Sequence, residues 1–403
     1  MQLSLQKLFE NYLNKKSIFV NKDALTIKYT PYDIPHRDEQ INLCAQILAP
    51  SLRMERPSNL FIYGKTGTGK TVTIKHVCNE LEKVANDKNI SLKVIYLNCK
   101  MRKVADTEYR LIAQLAREMG VDVPATGLPT DEVYNLFYKA VDDKELIILI
   151  ILDEIDQLIK KTGDEILYNL TRINSELTKA KISIIGISND ITFKSNLDPR
   201  VRSSLNEEEI IFPPYDALQL KDILESRSKI AFVNGVVSEA VIAKCAAFAA
   251  REHGDARKAL DLLRVAGELA ERENCETILE RHIDEADEKI ETDQVVELIK
   301  GLPKQSLTVL YAILSMDKFN EENSENHTGL VYNLYKNLCL KAGLKNLTQR
   351  RVSDLINEFD MMGIITTKVI SKGRYGRTKE IELNISKETS EKLSKIIEEN
   401  LNI

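Results

Sequence analysis

The sequence predicts an α/β fold with a mostly parallel sheet, followed by an all-helical unit and a C-terminal helix–turn–helix closed by a β-hairpin. A chain of 403 residues exceeds one compact core and suggests two or three domains. Apolar strands and amphipathic helices alternate as far as Phe212, the pattern of a sheet covered on both faces. Beyond Phe212-Pro213-Pro214-Tyr215 only helical periodicity continues, until two alternating segments appear near the C-terminus.

Residues 1–35 form an irregular arm, because Pro31 and Pro35 interrupt regular helix. A helix over 37–49 follows from the apolar positions Ile41, Leu43, Ile47 and Leu48. Strands are predicted at 60–63, 92–97, 146–152 and 182–187. Helices are predicted at 71–84, near 104–119 and 131–142, and from about 163 to 179. The helical unit comprises 217–231, 238–252, 255–273 and 278–290. From Thr292 a third unit carries helices near 293–300, 304–316, 328–342 and 348–361, and segments 364–371 and 378–385 around a Gly-rich turn. The expected domains are therefore 1–215, 216–291 and 292–403.

Composition is that of an ordinary globular chain, with 43% hydrophobic and 29% charged residues. The first ten residues carry no apolar signal region, and the run Leu146–Leu152 is too short to span a bilayer. A cytoplasmic chain without membrane partners is expected. The six cysteines are scattered without a CxxC pair, which argues against a zinc site or disulfide framework. Net charge is −5, yet residues 341–380 hold nine Lys/Arg against four Asp/Glu. A local basic face of that kind points to nucleic acid despite the acidic total.

The strongest chemical signal is Gly64-Lys65-Thr66-Gly67-Thr68-Gly69-Lys70-Thr71, a GxxxxGK[ST] loop between a predicted strand and a predicted helix. Its glycines let backbone N–H groups wrap phosphates at a helix N-terminus. Lys70 is expected to meet the β- and γ-phosphates and Thr71 to hold Mg²⁺, which makes ATP or ADP the expected cofactor. A second apolar strand ends in Asp153-Glu154, placing carboxylates at the C-terminal edge of the sheet. Asp153 is expected to orient Mg²⁺ and Glu154 to polarise an attacking water. Asp156 is expected to cap or to support this pair.

The Asp-Glu pair after a phosphate loop, followed by a strand ending in Ser188-Asn189, resembles the AAA+ ATPase family. That resemblance implies that Asn189 senses the γ-phosphate. Gly254-Asp255-Ala256-Arg257 resembles the second sensor, which implies that Arg257 reaches the phosphate from a lid domain. Leu197-Asp198-Pro199-Arg200-Val201-Arg202 resembles the arginine-finger region, with Arg200 the first choice and Arg202 the second. Ser204 stands where the family often has an arginine.

The arm Tyr29-Thr30-Pro31-Tyr32-Asp33-Ile34-Pro35-His36-Arg37, the Gly64 loop, the Phe212-Pro213-Pro214-Tyr215 stretch and the Gly254 turn together resemble archaeal ORC-type DNA replication proteins. The resemblance implies a AAA+ core, a helical lid and a winged-helix domain. It implies that Ile34, His36 and Arg37 border the adenine and that Tyr215 and Arg227 reach the nucleotide. The long connection between Lys70 and Asp153, with helices at about 104–142, resembles an initiator-type insertion. Arg110, Arg117, Gly127 and Leu128 would there touch DNA. Duplex origin DNA, paralogous initiator subunits and a replicative helicase are the implied partners, and slow ATP hydrolysis acting as a switch is the implied activity. An ATP-gated transcription regulator and a clamp-loader or branch-migration motor remain alternative readings of the same domains.

In the C-terminal unit, Val352, Leu355, Ile356 and Phe359 form the apolar stripe of one helix. Arg350, Arg351, Ser353 and Asn357 fall toward its other face, the position of a recognition helix in the major groove. Lys372, Arg374, Tyr375 and Arg377 occupy the hairpin tip, where cations beside glycines suit phosphates or a narrow minor groove.

Overall fold

The parallel sheet is built from segments whose apolar runs leave no face for water. The structure, a computed structural model, describes residues 16–26, 29–31, 33–100, 107–124, 127–193, 197–205, 207–316, 327–371 and 377–401. In chain order the first segments are α1 (Asp38–Leu48), β1 (Asn59–Tyr63), α2 (Lys70–Asp87), β2 (Leu92–Asn98), α3 (Glu108–Glu118) and α4 (Thr130–Val141). They continue with β3 (Ile147–Asp153), α5 (Ile155–Thr162), α6 (Glu165–Arg172), β4 (Lys181–Ser188), α7 (Pro199–Leu205) and β5 (Glu207–Ile211). The strands pair in parallel in the order β2-β3-β4-β1-β5. Every residue of β3 is buried, as expected for a strand with neighbours on both sides and both faces covered.

The strand β5 departs from the sequence expectation. Its Glu207-Glu208-Glu209 start has low strand propensity, and only Ile210 is buried. The strand is tolerated because it lies at the sheet edge, pairs only with β1, and can point its carboxylates into solvent. The single helix expected over 163–179 is also different. Helix α5 runs before Gly163, whose N–H closes on Ile159 O at 2.9 Å, and α6 starts after it.

Helices α8 (Ala217–Ala231), α9 (Glu239–Arg251) and α10 (Ala256–Arg272) pack on one another after β5. Asp216 opens α8 with a reciprocal cap to Gln219, which fixes where the chain leaves the sheet. The arm docks on these helices: Val20 N–H donates to Ala231 O at 2.8 Å and Val233 N–H to Ile18 O at 3.0 Å. The Phe19 and Phe232 rings lie 4.7 Å apart. Helix α11 (Glu280–Lys300) occupies the stretch where helices over 278–290 and 293–300 were expected.

Chain contacts divide the protein into Met1–Ala286 and Asp287–Ile403. The second unit holds α12 (Lys304–Leu314), α13 (Thr328–Lys341), α14 (Gln349–Met361), the antiparallel pair β6 (Ile365–Ser371) and β7 (Arg377–Leu383), and α15 (Lys387–Leu401). Its core joins Val309, Leu310 and Ile313 to Val352, Ile356 and Phe359. Helix α15 was not predicted, although Leu393, Ile397 and Leu401 are buried at helical spacing. Among the described residues no helix is long and apolar enough to cross a membrane.

Phe359 is 1% exposed at the centre of this second core. Phe359→Ala is expected to cost about 3–5 kcal/mol. Hydrogen exchange should show the loss in α12–α14, with protection of β3 unchanged.

Candidate functional site

The C-terminal edge of the sheet gathers the chemistry. β1 leads into the Gly64 loop and β3 ends at Asp153; β4 runs between them, pairing Tyr63 with Ser188 and Asp153 with Ile187. Asn189 therefore leaves the sheet between the loop and the carboxylates, half-buried. The two arms of the site are two strand spacings apart, about 10 Å.

The loop is closed around its own lysine. Lys70 is 5% exposed, and its Nζ donates to Gly64 O at 2.9 Å and Lys65 O at 2.6 Å. Burial lowers the Lys70 pKa to about 8, with repulsion from Arg257 next, and Asp153, Asp255 and Asp156 oppose both. The Thr68 hydroxyl donates to Lys65 O at 2.9 Å. Gly67 and Gly69 have φ of +70° and +88°. A Cβ at Gly67 would lie 1.7 Å from Asp255 Oδ1, and one at Gly69 2.7 Å from the Tyr215 hydroxyl. Only glycine supplies both the backbone conformation and the clearance.

Asp255 caps α10 by accepting from Arg257 N–H at 2.7 Å, and Ala256 N–H donates to Gly67 O at 3.3 Å. The lid helix α10 thus starts directly on the phosphate loop. Arg257 is exposed there, close enough to Lys70 to depress its pKa.

At the acidic end, Asp153 is 6% exposed. Its Oδ2 accepts from Thr71 Oγ1 at 3.0 Å and Tyr96 Oη at 2.7 Å, and its Oδ1 accepts from Glu154 N–H at 3.0 Å. Glu154 has φ of +56° at the start of α5, and Lys100 Nζ lies 3.7 Å from its Oε2. Asp156, also buried, accepts from Ser188 Oγ at 3.3 Å and Gln157 Nε2 at 2.8 Å. It braces β4 against α5.

The residues expected around an adenine have separate positions. Ile34 is buried at 5% exposure. His36 Nε2 sits 2.8 Å from Asp222 Oδ2 on α8. Arg37 is 2% exposed and donates to Thr68 O at 2.9 Å, His36 O at 3.0 Å and Pro213 O at 2.6 Å, with its guanidinium 3.8 Å from the Tyr215 ring centre. Burial lowers the pKa of Arg37 and raises that of Tyr215. Arg227 lies over the Tyr29 ring at 4.6 Å, and its buried Nη1 has no hydrogen-bond partner. Arg200, on α7, is exposed and held by Asp198 at 3.1 Å; Arg202 is exposed as well.

The nucleic-acid candidates fall into two groups. Arg110 is half-buried on α3, Gly127 is exposed, and Leu128 packs partly into the core. Arg117 Nε and Nη2 both donate to Val123 O, so this side chain ties the loop after α3. In the second unit the Thr348 cap starts α14, and Arg350 and Arg351 are exposed in its first turn. Arg351 lies 3.9 Å from Asp354 and 3.7 Å from Glu358. Ser353 is half-buried, and Asn357 accepts from Lys379 Nζ of β7. Lys372, Arg374 and Tyr375 lie outside the described residues, as does the side chain of Arg377.

Sequence reasoning missed Tyr96, Lys100 and the approach of Asp255 to Gly67. A tyrosine two residues before the end of the strand beside the acidic one is the only sequence trace of the first. Glu273, Cys275 and His282 also place donor atoms within 4.8 Å of one another. There Nδ1 of His282 accepts from Leu279 N–H at 3.1 Å, so Nε2 carries the ring proton toward Glu273 and offers no lone pair to a metal.

Comparison with known proteins identifies the domains that carry this geometry. Residues 53–191 match the model of a AAA domain, 221–288 that of the Cdc6 AAA+ ATPase-type lid domain, and 297–392 that of the CDC6 C-terminal winged helix domain. An ORC1-type DNA replication protein of Pyrococcus abyssi is 59% identical over 389 residues, spanning 96% of this chain and 92% of its own. One from Pyrococcus horikoshii is 58% identical with the same coverage. Among solved structures, the Aeropyrum pernix ORC1 protein in complex with DNA is 43% identical. It superposes with a TM-score of 0.81 over 96% of this chain and 98% of its own.

The lowered Lys70 pKa has a measurable sign. A polyphosphate in the loop favours the ammonium and returns the pKa toward its ordinary range, so binding takes up a proton between pH 8 and 10. Calorimetry in buffers of different ionisation heat should find uptake approaching one proton at about pH 9 and almost none at about pH 6.5.

Proposed function

The chain belongs to the ORC1-type DNA replication proteins, and from that membership we propose that it is an ATP-binding initiator that grips duplex DNA at replication origins. The single observation that carries the nucleotide half is the lid turn Asp255–Arg257 seated on Gly67 of the phosphate loop. It joins the phosphate loop of the core to the first turn of the lid helix.

In this reading Lys70 exchanges the carbonyls of Gly64 and Lys65 for the phosphates of ATP or ADP. Thr71 and Asp153 would hold Mg²⁺: a hydroxyl and a buried carboxylate 3.0 Å apart suit an ion that keeps several waters and takes few protein ligands. The ion would supply charge neutralisation for the phosphates. Glu154 orients and polarises the attacking water from the first turn of α5. Asn189 from the sheet and Arg257 from the lid face the terminal phosphate. Arg200, or Arg202 beside it, is placed on an exposed helix from which it would act on a neighbouring, paralogous subunit. Ile34, His36 and Tyr215 line the base side, where the unpartnered Nη1 of Arg227 offers a donor. Arg37 supports this wall from behind, because each of its three nitrogens already donates to a carbonyl.

The DNA half rests on the winged-helix unit, whose α14 presents Arg350 and Arg351 at its start, with Ser353 and Asn357 further along. The tip residues Lys372, Arg374, Tyr375 and Arg377 would reach a neighbouring groove. Arg110, Gly127 and Leu128 of the inserted α3–α4 region would add a contact from the ATPase body. That the Aeropyrum pernix relative was solved with DNA supports this assignment. We assign hydrolysis a slow, switching role, with a long-lived ATP state that recruits or loads a replicative helicase.

Lys70→Ala should abolish nucleotide binding while leaving duplex affinity within about threefold, since the phosphate contacts of DNA binding lie elsewhere. Arg350→Ala with Arg351→Ala should weaken duplex binding and reduce the salt dependence by about two phosphate contacts, with nucleotide affinity unchanged. Fluorescence binding assays at several salt concentrations separate the two. Footprinting across the source genome should find protection at replication start sites; protection at scattered promoters alone would overturn the initiator reading.

A further inference from the structure

We propose that Tyr96 is a positioning residue for Asp153, locking the carboxylate in the orientation that receives Mg²⁺; the inference rests on the Mg²⁺-nucleotide reading of the phosphate loop. Tyr96 stands on β2, paired with Ile151, and Asn98 is the residue paired with Asp153. Its side chain therefore reaches along the sheet to a residue two positions beyond its own partner. The hydroxyl ends 2.7 Å from Asp153 Oδ2.

A carboxylate at the end of a strand turns freely about its last torsion unless donors fix both oxygens. Among the described residues Asp153 has three: Glu154 N–H on Oδ1, with Thr71 Oγ1 and Tyr96 Oη on Oδ2. Those three donors use three of its roughly four lone-pair positions. Thr71 donates its hydrogen to Asp153 and so keeps its own oxygen lone pairs available to an ion. Tyr96 gives its hydroxyl hydrogen to the carboxylate, and the Asn98 side chain is a second hydrogen-bond partner of the same hydroxyl.

The phenol is itself held. Lys75 Nζ lies 3.6 Å from the centre of the Tyr96 ring, one helical turn after Thr71 on α2. A cation over the ring draws electron density from the oxygen and strengthens the O–H as a donor. One face of α2 thus carries a residue toward the ion, Thr71, and a residue that sharpens the support behind it, Lys75.

The test uses the full chain and a fluorescent ATP analogue titrated in EDTA and then across Mg²⁺ concentrations. Tyr96→Phe removes one oxygen and keeps the ring. Its affinity in EDTA should equal that of the parent, and its Mg²⁺ midpoint should rise about tenfold, as for loss of other supporting contacts to a metal ligand. Lys75→Met should move the midpoint in the same direction by about two- to threefold. Asp153→Asn should abolish the Mg²⁺ response. A Tyr96→Phe midpoint equal to the parent's overturns the proposal, and so does an equal loss of affinity in EDTA, which marks a merely structural role. An unaltered Mg²⁺ response in Asp153→Asn overturns the metal reading together with the inference built on it.

Discussion

The buried guanidinium of Arg37 is the constraint on which the nucleotide cleft depends. It reaches no carboxylate among the described residues. Its charge is balanced by the carbonyls of His36, Thr68 and Pro213 and by the face of Tyr215. Those groups belong to the end of the arm, the phosphate loop and the exit from β5. A buried cation is costly unless it is hydrogen-bonded, so the three carbonyls that meet its three nitrogens hold these segments together. A planar fork can meet several carbonyls at once while stacking on a ring, which a lysine ammonium cannot do. Around that fixed point the glycine positions follow. Tyr215 presses its hydroxyl against Gly69 and its backbone against Gly254, and the lid is thereby delivered to Gly67.

Electrostatics then sets what the cleft can do. The charge of Arg257 acts on Lys70, and each lies in the first turn of its helix, α2 and α10, where the helix dipole adds positive character. Asp153, Asp255 and Asp156 oppose it. In the C-terminal unit the sign balance is different. Arg351 faces Asp354 and Glu358 of its own helix, and Asn357 is engaged by Lys379. Phosphates approaching α14 therefore compete with internal partners for Arg351, while Arg350 lies exposed in the same turn.

The sequence made the local parts of this protein legible. The phosphate loop, the acidic end of β3 and the apolar stripe of α14 are each fixed by neighbours within one turn or one strand, so spacing alone locates them. Contacts between distant segments were not legible. Asp255 could be read as a helix cap, but nothing local says that its carboxylate also fills the space over Gly67. Tyr96 reads as a half-buried strand residue until the register with β3 places Asp153 beside its hydroxyl. Strand β5 was hidden because an edge position tolerates glutamates that a central strand would reject. Helix α15 was missed although its buried positions recur at helical spacing. The division at Gly163 follows from where the chain must turn.

The close seating of α10 on the loop carries a thermodynamic consequence. Bringing the lid down brings Arg257 toward Lys70 whether or not an anion lies between them. Asp255 arrives on the same turn, so closing the bare cleft sets an attraction to Lys70 against the Arg257 repulsion, and an anion between the two cations would add to the attraction. Occupancy and closure are then reciprocal: whatever free energy the anion contributes to closing the lid, a closed lid returns as tighter retention of the anion. A cleft of this kind behaves as a latch whose strength is set by the charge it holds, so changing the number of phosphates regrades the latch without any new contact.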